Sequence, residues 1–72
     1  MAELPGSFVR QFLGQAVRVF MTDGPVVDAY FLSFDGRSLW LVVNGEDHFV
    51  PLATVTTMRA RRGGVPSLAI PN

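Results

Sequence analysis

The sequence has no cysteine and no lysine, and histidine occurs once. Without cysteine there can be neither a disulfide framework nor a thiolate zinc site to supplement a small core. Six arginines are offset by six acids, for a formal net charge of zero. That balance excludes a broad basic footprint, so any contact with nucleic acid must be local. No set of nucleophile, base and orienting group is in view, because the four serines fall in turns, at a helix start or in the C-terminal segment. The expectation is a protein that is not an enzyme and needs no cofactor. The longest apolar run, Leu39 to Val43, is far too short to cross a bilayer. Met1 to Ser7 lacks a basic region followed by an apolar stretch, so a cytoplasmic protein with no membrane partner is expected.

What is present is apolar. Hydrophobic residues make up 49% of a 72-residue chain and charged residues 17%. A chain of this size forms one small domain and cannot hide that much apolar surface in its own core. An oligomer follows. Arginine as the sole strong base, with seven glycines, six alanines and five prolines, suggests a G+C-rich coding sequence and a bacterial source.

Three dipeptides that tolerate positive φ, Asp23-Gly24, Asp35-Gly36 and Asn44-Gly45, punctuate the middle of the chain. Between them the residues alternate. Val17, Val19 and Met21 oppose Arg18, Phe20 and Thr22; Val27, Ala29 and Phe31 oppose Asp28, Tyr30 and Leu32; Leu39, Leu41 and Val43 oppose Trp40 and Val42. A fourth strand at His48 to Leu52 and a fifth at Thr54 to Met58 are split by a tight turn at Pro51-Leu52-Ala53. Ahead of them Leu4, Phe8 and Phe12 recur every four residues, with Val9 and Leu13 beside them. This spacing predicts one helix over about residues 5–13, with Ser7 as N-cap and Gly14 as stop. The fold class is all-β: a small, strongly bent antiparallel barrel of five strands, over about residues 15–58, behind a short helix. Alternation fails from Arg59, and residues 63–72, with two prolines and no period, read as a flexible tail beyond a domain of residues 1–62.

This layout resembles the Sm-like family, including bacterial Hfq. Val17 to Gly24 resembles the family's first strand and turn glycine. Phe31-Leu32-Ser33-Phe34-Asp35 resembles the Hfq stretch ending in Ser-Phe-Asp, and Phe49-Val50-Pro51-Leu52 followed by Val55 resembles the turn between the last two strands. The match covers residues 8 to about 58. Three positions depart from the pattern. Ala29 stands where a glycine is usual late in the second strand. Gly36-Arg37-Ser38-Leu39 takes the place of the asparagine that follows the third-strand aspartate in Sm proteins. Leu52-Ala53-Thr54 takes the place of an arginine-glycine pair, or of lysine-histidine in Hfq.

The resemblance implies a cyclic homo-oligomer of about five to seven copies, in which the fourth strand of one subunit pairs with the fifth of the next. His48, Phe49 and Val50 would then meet Val55, Thr56 and Thr57. It also implies single-stranded RNA as a ligand, with altered specificity. Arg37, beside Asp35, falls where the family stacks a base at the pore. Phe20 falls at the aromatic position of the opposite face, with Tyr30 on the following strand. Asp28 replaces a neutral amide there, which is unfavourable toward phosphate. Each RNA residue also has a plainer reading: Arg37 as a solvated turn residue, Phe20 and Tyr30 as packing for a subunit or partner, and Trp40 as a seam filler. His48, beside Glu46 and Asp47, could meet its copies around a symmetry axis, although no metal site is expected.

Charge is unevenly spread along the chain. Residues 1–22 carry +1, residues 23–47 carry −4, and Arg59, Arg61 and Arg62 carry +3. Repeated around a ring, that cluster would form a basic collar able to meet RNA or an acidic belt. A rival reading keeps the ring but drops RNA, leaving a structural or protein-interaction module. Another compares Leu13 to Val19 with SH3-like accessory barrels such as the C-terminal module of biotin protein ligases.

Overall fold

The structure, a computed structural model, describes residues 4–61, so the expected tail lies outside the described residues. Helix α1 (Gly6–Arg10) precedes strands β1 (Ala16–Met21), β2 (Val26–Phe34), β3 (Ser38–Val43), β4 (Glu46–Pro51) and β5 (Val55–Ala60). A single 3-10 turn, Leu52–Thr54, joins the last two. The all-β architecture with a leading helix is the one the sequence implies.

The helix differs in detail from expectation. Its N-cap is Pro5, not Ser7: the Phe8 and Val9 N–H groups both donate to the Pro5 carbonyl, at 3.1 and 3.2 Å. Proline's fixed φ, here −64°, suits this entry, and it leaves Ser7 inside the first turn. Regular helix stops at Arg10. Phe12 and Leu13 then donate to carbonyls three residues back, a tightened last turn. The apolar stripe is nonetheless used, with Val9 fully buried and Leu4, Phe8 and Phe12 packed on the core. Phe8 and Phe12 meet edge to face at 5.4 Å.

Strand order is β4-β3-β2-β1-β5, with every neighbouring pair antiparallel. All three glycine turns fall between strands. Asn44 (φ 53°) and Gly45 (φ 83°) both adopt the left-handed conformation that the shortest hairpin connection requires. β5 runs through Ala60, two residues beyond the point where alternation fades in sequence, because Arg59 and Ala60 still pair with Arg18 and Val17.

The inward residues foreseen on β1, β2 and β3 form the core. Val17, Val19, Phe31 and Leu39 are fully buried, and they join Leu41, Val55 and Met58 in one cluster. A five-residue helix cannot cover the face of a five-stranded sheet. Burial this complete therefore requires the sheet to curl over itself. Irregularities between Phe31 and Ser33 on β2 and between Phe20 and Met21 on β1 supply local bending. Each fully buried Phe or Leu contributes roughly 1.5–3 kcal/mol relative to exposure, so these few residues carry the fold. β4 and β5 occupy the two ends of the sheet, and each has one edge with no strand beside it among the described residues.

Candidate functional site

Two turns distant in sequence meet at one end of the sheet. The Leu52 N–H donates to the Arg37 carbonyl at 2.8 Å, joining the β2–β3 turn to the β4–β5 turn. Asp35 shapes the first of these. Its Oδ1 accepts from the backbone N–H groups of Ser38 and Arg37, both at 2.8 Å. Those two donors, Ser38 first, hold the Asp35 carboxyl below its ordinary range. Asp35 is therefore a turn-former, and the Arg37 side chain is left exposed. On the second turn Leu52 is buried, and Thr54 closes the turn by donating its hydroxyl to the Pro51 carbonyl at 2.7 Å. Arg37 is thus the one cation on the two joined turns.

The outer face of the sheet carries a second cluster. Arg18 and Asp28 are direct cross-strand partners, and their side chains form a two-pronged ion pair at 2.8 and 3.2 Å. Arg61 approaches the same carboxylate at 3.6 Å. The hydrogen bond from Arg18 is the main cause of the lowered Asp28 pKa, and it raises that of Arg18 in turn. Asp28 is accordingly an internal counter-ion, and the three side chains together carry one positive charge. Arg59 lies over the Phe20 ring at 5.4 Å, so one side of this half-buried aromatic is already taken. Tyr30 is exposed and lines a depression of about 400 Å³ with Asp28, Val42, Asn44 and Arg61. Arg61 belongs to the expected basic collar, whereas nothing in the sequence analysis marks Arg18 or Asn44 as a site residue. The signal for Arg18 is the hairpin register, which sets it against Asp28.

The structure places the expected interface residues on the two open edges. On β4, His48 and Phe49 are exposed, whereas Val50 is half-buried against the core. On β5, Thr56 and Thr57 are exposed, whereas the Val55 side chain is in the core and offers only its backbone. His48 faces inward beside a small apolar cleft of about 180 Å³ formed with Met21, Val27, Leu41, Val43 and Val50. Its nearest acid is Glu46, at 3.8 Å. Trp40 packs on Phe49 with ring centroids 5.2 Å apart. Among the described residues no three His, Cys, Asp or Glu side chains converge as a metal site, and no helix is long and apolar enough to cross a membrane.

Five bent antiparallel strands behind a short helix, with both edges open, define the Sm-like fold. The chain is similar in structure to the 1.55 Å crystal structure of Hfq, a pleiotropic translational regulator. The TM-score is 0.66 at 18% sequence identity, covering 72% of this chain and 90% of that one. No protein-family model matches the sequence, and no curated protein matches it.

Proposed function

We propose that the chain closes head to tail into a homo-oligomeric ring and binds single-stranded RNA at the turn carrying Arg37. The observation that carries this reading is the 2.8 Å bond from Leu52 to the Arg37 carbonyl, which sets one exposed guanidinium on a rigid pair of turns. A guanidinium can stack on a base and bond a phosphate at once. The joined turn, Leu52–Thr54, adds no charge, and its one hydroxyl, on Thr54, already donates to the Pro51 carbonyl, so recognition differs from that of a site with basic groups on both turns. Each subunit binds weakly, and ring symmetry multiplies the contact. Cytoplasmic, bacterial RNA is the matching partner. Filter binding of oligo-U and oligo-A at two salt concentrations tests this, because a phosphate contact weakens as salt rises. Absence of binding at low salt overturns the RNA reading. The ring would then be a protein-interaction module, which the exposed Val26, Tyr30, Leu32 and Phe49 favour.

A further inference from the structure

The two open edges of the sheet carry opposite charge. β4 begins with Glu46 and Asp47, whereas β5 ends at Arg59 and Ala60 with Arg61 following, and no acid lies on that strand. Among the described residues Asp47 has no ion-pair partner, and neither has Arg59. Arg59 also stands directly opposite Arg18 across the β1–β5 ladder, a like-charge pairing that is unfavourable in isolation. Arg18 has Asp28 as its counter-ion. Arg59 has an aromatic ring beneath it and no carboxylate.

We propose that Asp47 of one subunit pairs with Arg59 of the partner subunit, and that this pair sets the direction and register of the strand ladder between them. The inference rests on the ring reading above. β4 and β5 are both six residues long. Laid antiparallel with full overlap, they put Glu46 opposite Ala60, Asp47 opposite Arg59, and Phe49 opposite Thr57. From Glu46 to Phe49 the faces agree as well, and the extra residue Thr56 on β5 ends the regular match beyond Thr57. Asp47 and Phe49 share the outer face with their partners Val42 and Trp40, just as Thr57 and Arg59 share it with Phe20 and Arg18. His48 and Met58 both fall on the inner face.

The alternatives are poorer. A slip of one residue sets the Asp47 carboxylate against the inward Met58 or Ala60 positions, which the pleat forbids. A parallel pairing carries the acids of β4 to Val55 and Thr56 and leaves Arg59 beside Val50. A slip of two residues shortens the ladder, and it offers Asp47 either Thr57 or Arg61, which already faces Asp28. The full-overlap register also covers Phe49, at 66% exposure the barest large apolar side chain, by placing it beside Thr57 and the Phe20–Arg59 stack of the neighbour.

Charge exchange tests the pairing. Asp47→Arg sets arginine against Arg59, and Arg59→Asp sets aspartate against Asp47, so each variant alone puts like charges together at the contact. The expected result, by light scattering over a concentration series, is that each needs at least about tenfold more protein than the parent to half-assemble. An equimolar mixture of the two recovers assembly into species of even copy number, because each arginine then meets an aspartate wherever the two variants alternate. The mixture serves as the folding control, since an unfolded variant cannot be rescued by its counterpart. A parent that assembles while both single variants assemble equally well overturns the pairing and leaves the ring intact. A mixture that stays dissociated overturns it too. A monomeric parent removes the ring reading itself.

Discussion

Arg18 and Asp28 stand opposite each other on β1 and β2 and meet at 2.8 Å, so the acid on the outer face is already neutralised from within the chain. Asp28→Asn would release Arg18 and the nearby Arg61 from their counter-ion. RNA affinity at low salt is expected to rise and the salt dependence to steepen, because each added phosphate contact releases further counterions. Filter binding across a salt series reads both quantities. An unchanged slope would mean that RNA does not approach this face.

Asp35 makes the β2–β3 turn sensitive to acid. Its folded pKa is depressed by the Ser38 and Arg37 N–H groups, so its stabilising contribution is present above the unfolded carboxylate value of about 3.9 and is lost as pH falls through the folded value. Asp28 acts with the same sign. Asn at position 35 keeps a side-chain oxygen acceptor but does not titrate. Asp35→Asn is therefore expected to flatten the loss of thermal stability between pH 5 and the acid limit, measured by melts at successive pH values.

Much of this arrangement is legible in the sequence, and the remainder is hidden for identifiable reasons. The inward sets on β1, β2 and β3 follow from alternation because one face of each strand is buried. The Arg18–Asp28 pair could have been deduced as well. A two-residue loop at Asp23-Gly24 would set inward Val19 against outward Asp28; of the three-residue loops that remove this conflict, Thr22 to Gly24 sets Arg18 against Asp28 and Asp23 to Pro25 sets Phe20 there, and charge complementarity selects the first. The end of β5 is less legible, since Arg59 and Ala60 are exposed and break the apolar pattern while their backbone remains in the ladder. The Pro5 cap is hidden because serine is the stronger capping signal in sequence. The Leu52 to Arg37 bond is legible too: the two-residue loop at Asn44-Gly45 sets Val43 against Glu46, and the same register carried down the hairpin sets Ser38 against Pro51 and Arg37 against Leu52.

Arg37→Ala is expected to remove most RNA binding while leaving assembly unchanged, because only its exposed side chain is lost and its carbonyl still accepts from Leu52. Arg37→Lys should recover only part of the affinity, since an ammonium keeps the charge but cannot stack. Phe20→Ala separates the two faces: a base stacked there would cost roughly 1–3 kcal/mol on removal. With Arg59 already over that ring, oligo-U affinity is expected to be unaffected.

Phe31 is the largest fully buried side chain. Phe31→Ala should cost about 3–5 kcal/mol, comparable with the roughly 5 kcal/mol at the lower end of small-domain stability. Urea denaturation is expected to show a midpoint lowered to near zero denaturant, whereas Leu32→Ala, on the exposed bulge of the same strand, should change stability little.

Edge-to-edge closure of β4 on β5 between subunits is the step on which the proposed ring, its RNA site and the Asp47–Arg59 pair all depend. Native mass spectrometry of the purified chain at micromolar concentration tests it most directly. One dominant species of about five to seven copies is expected, whereas a monomer, or a series of open chains without a fixed size, would rule out closure of the ring through β4 and β5.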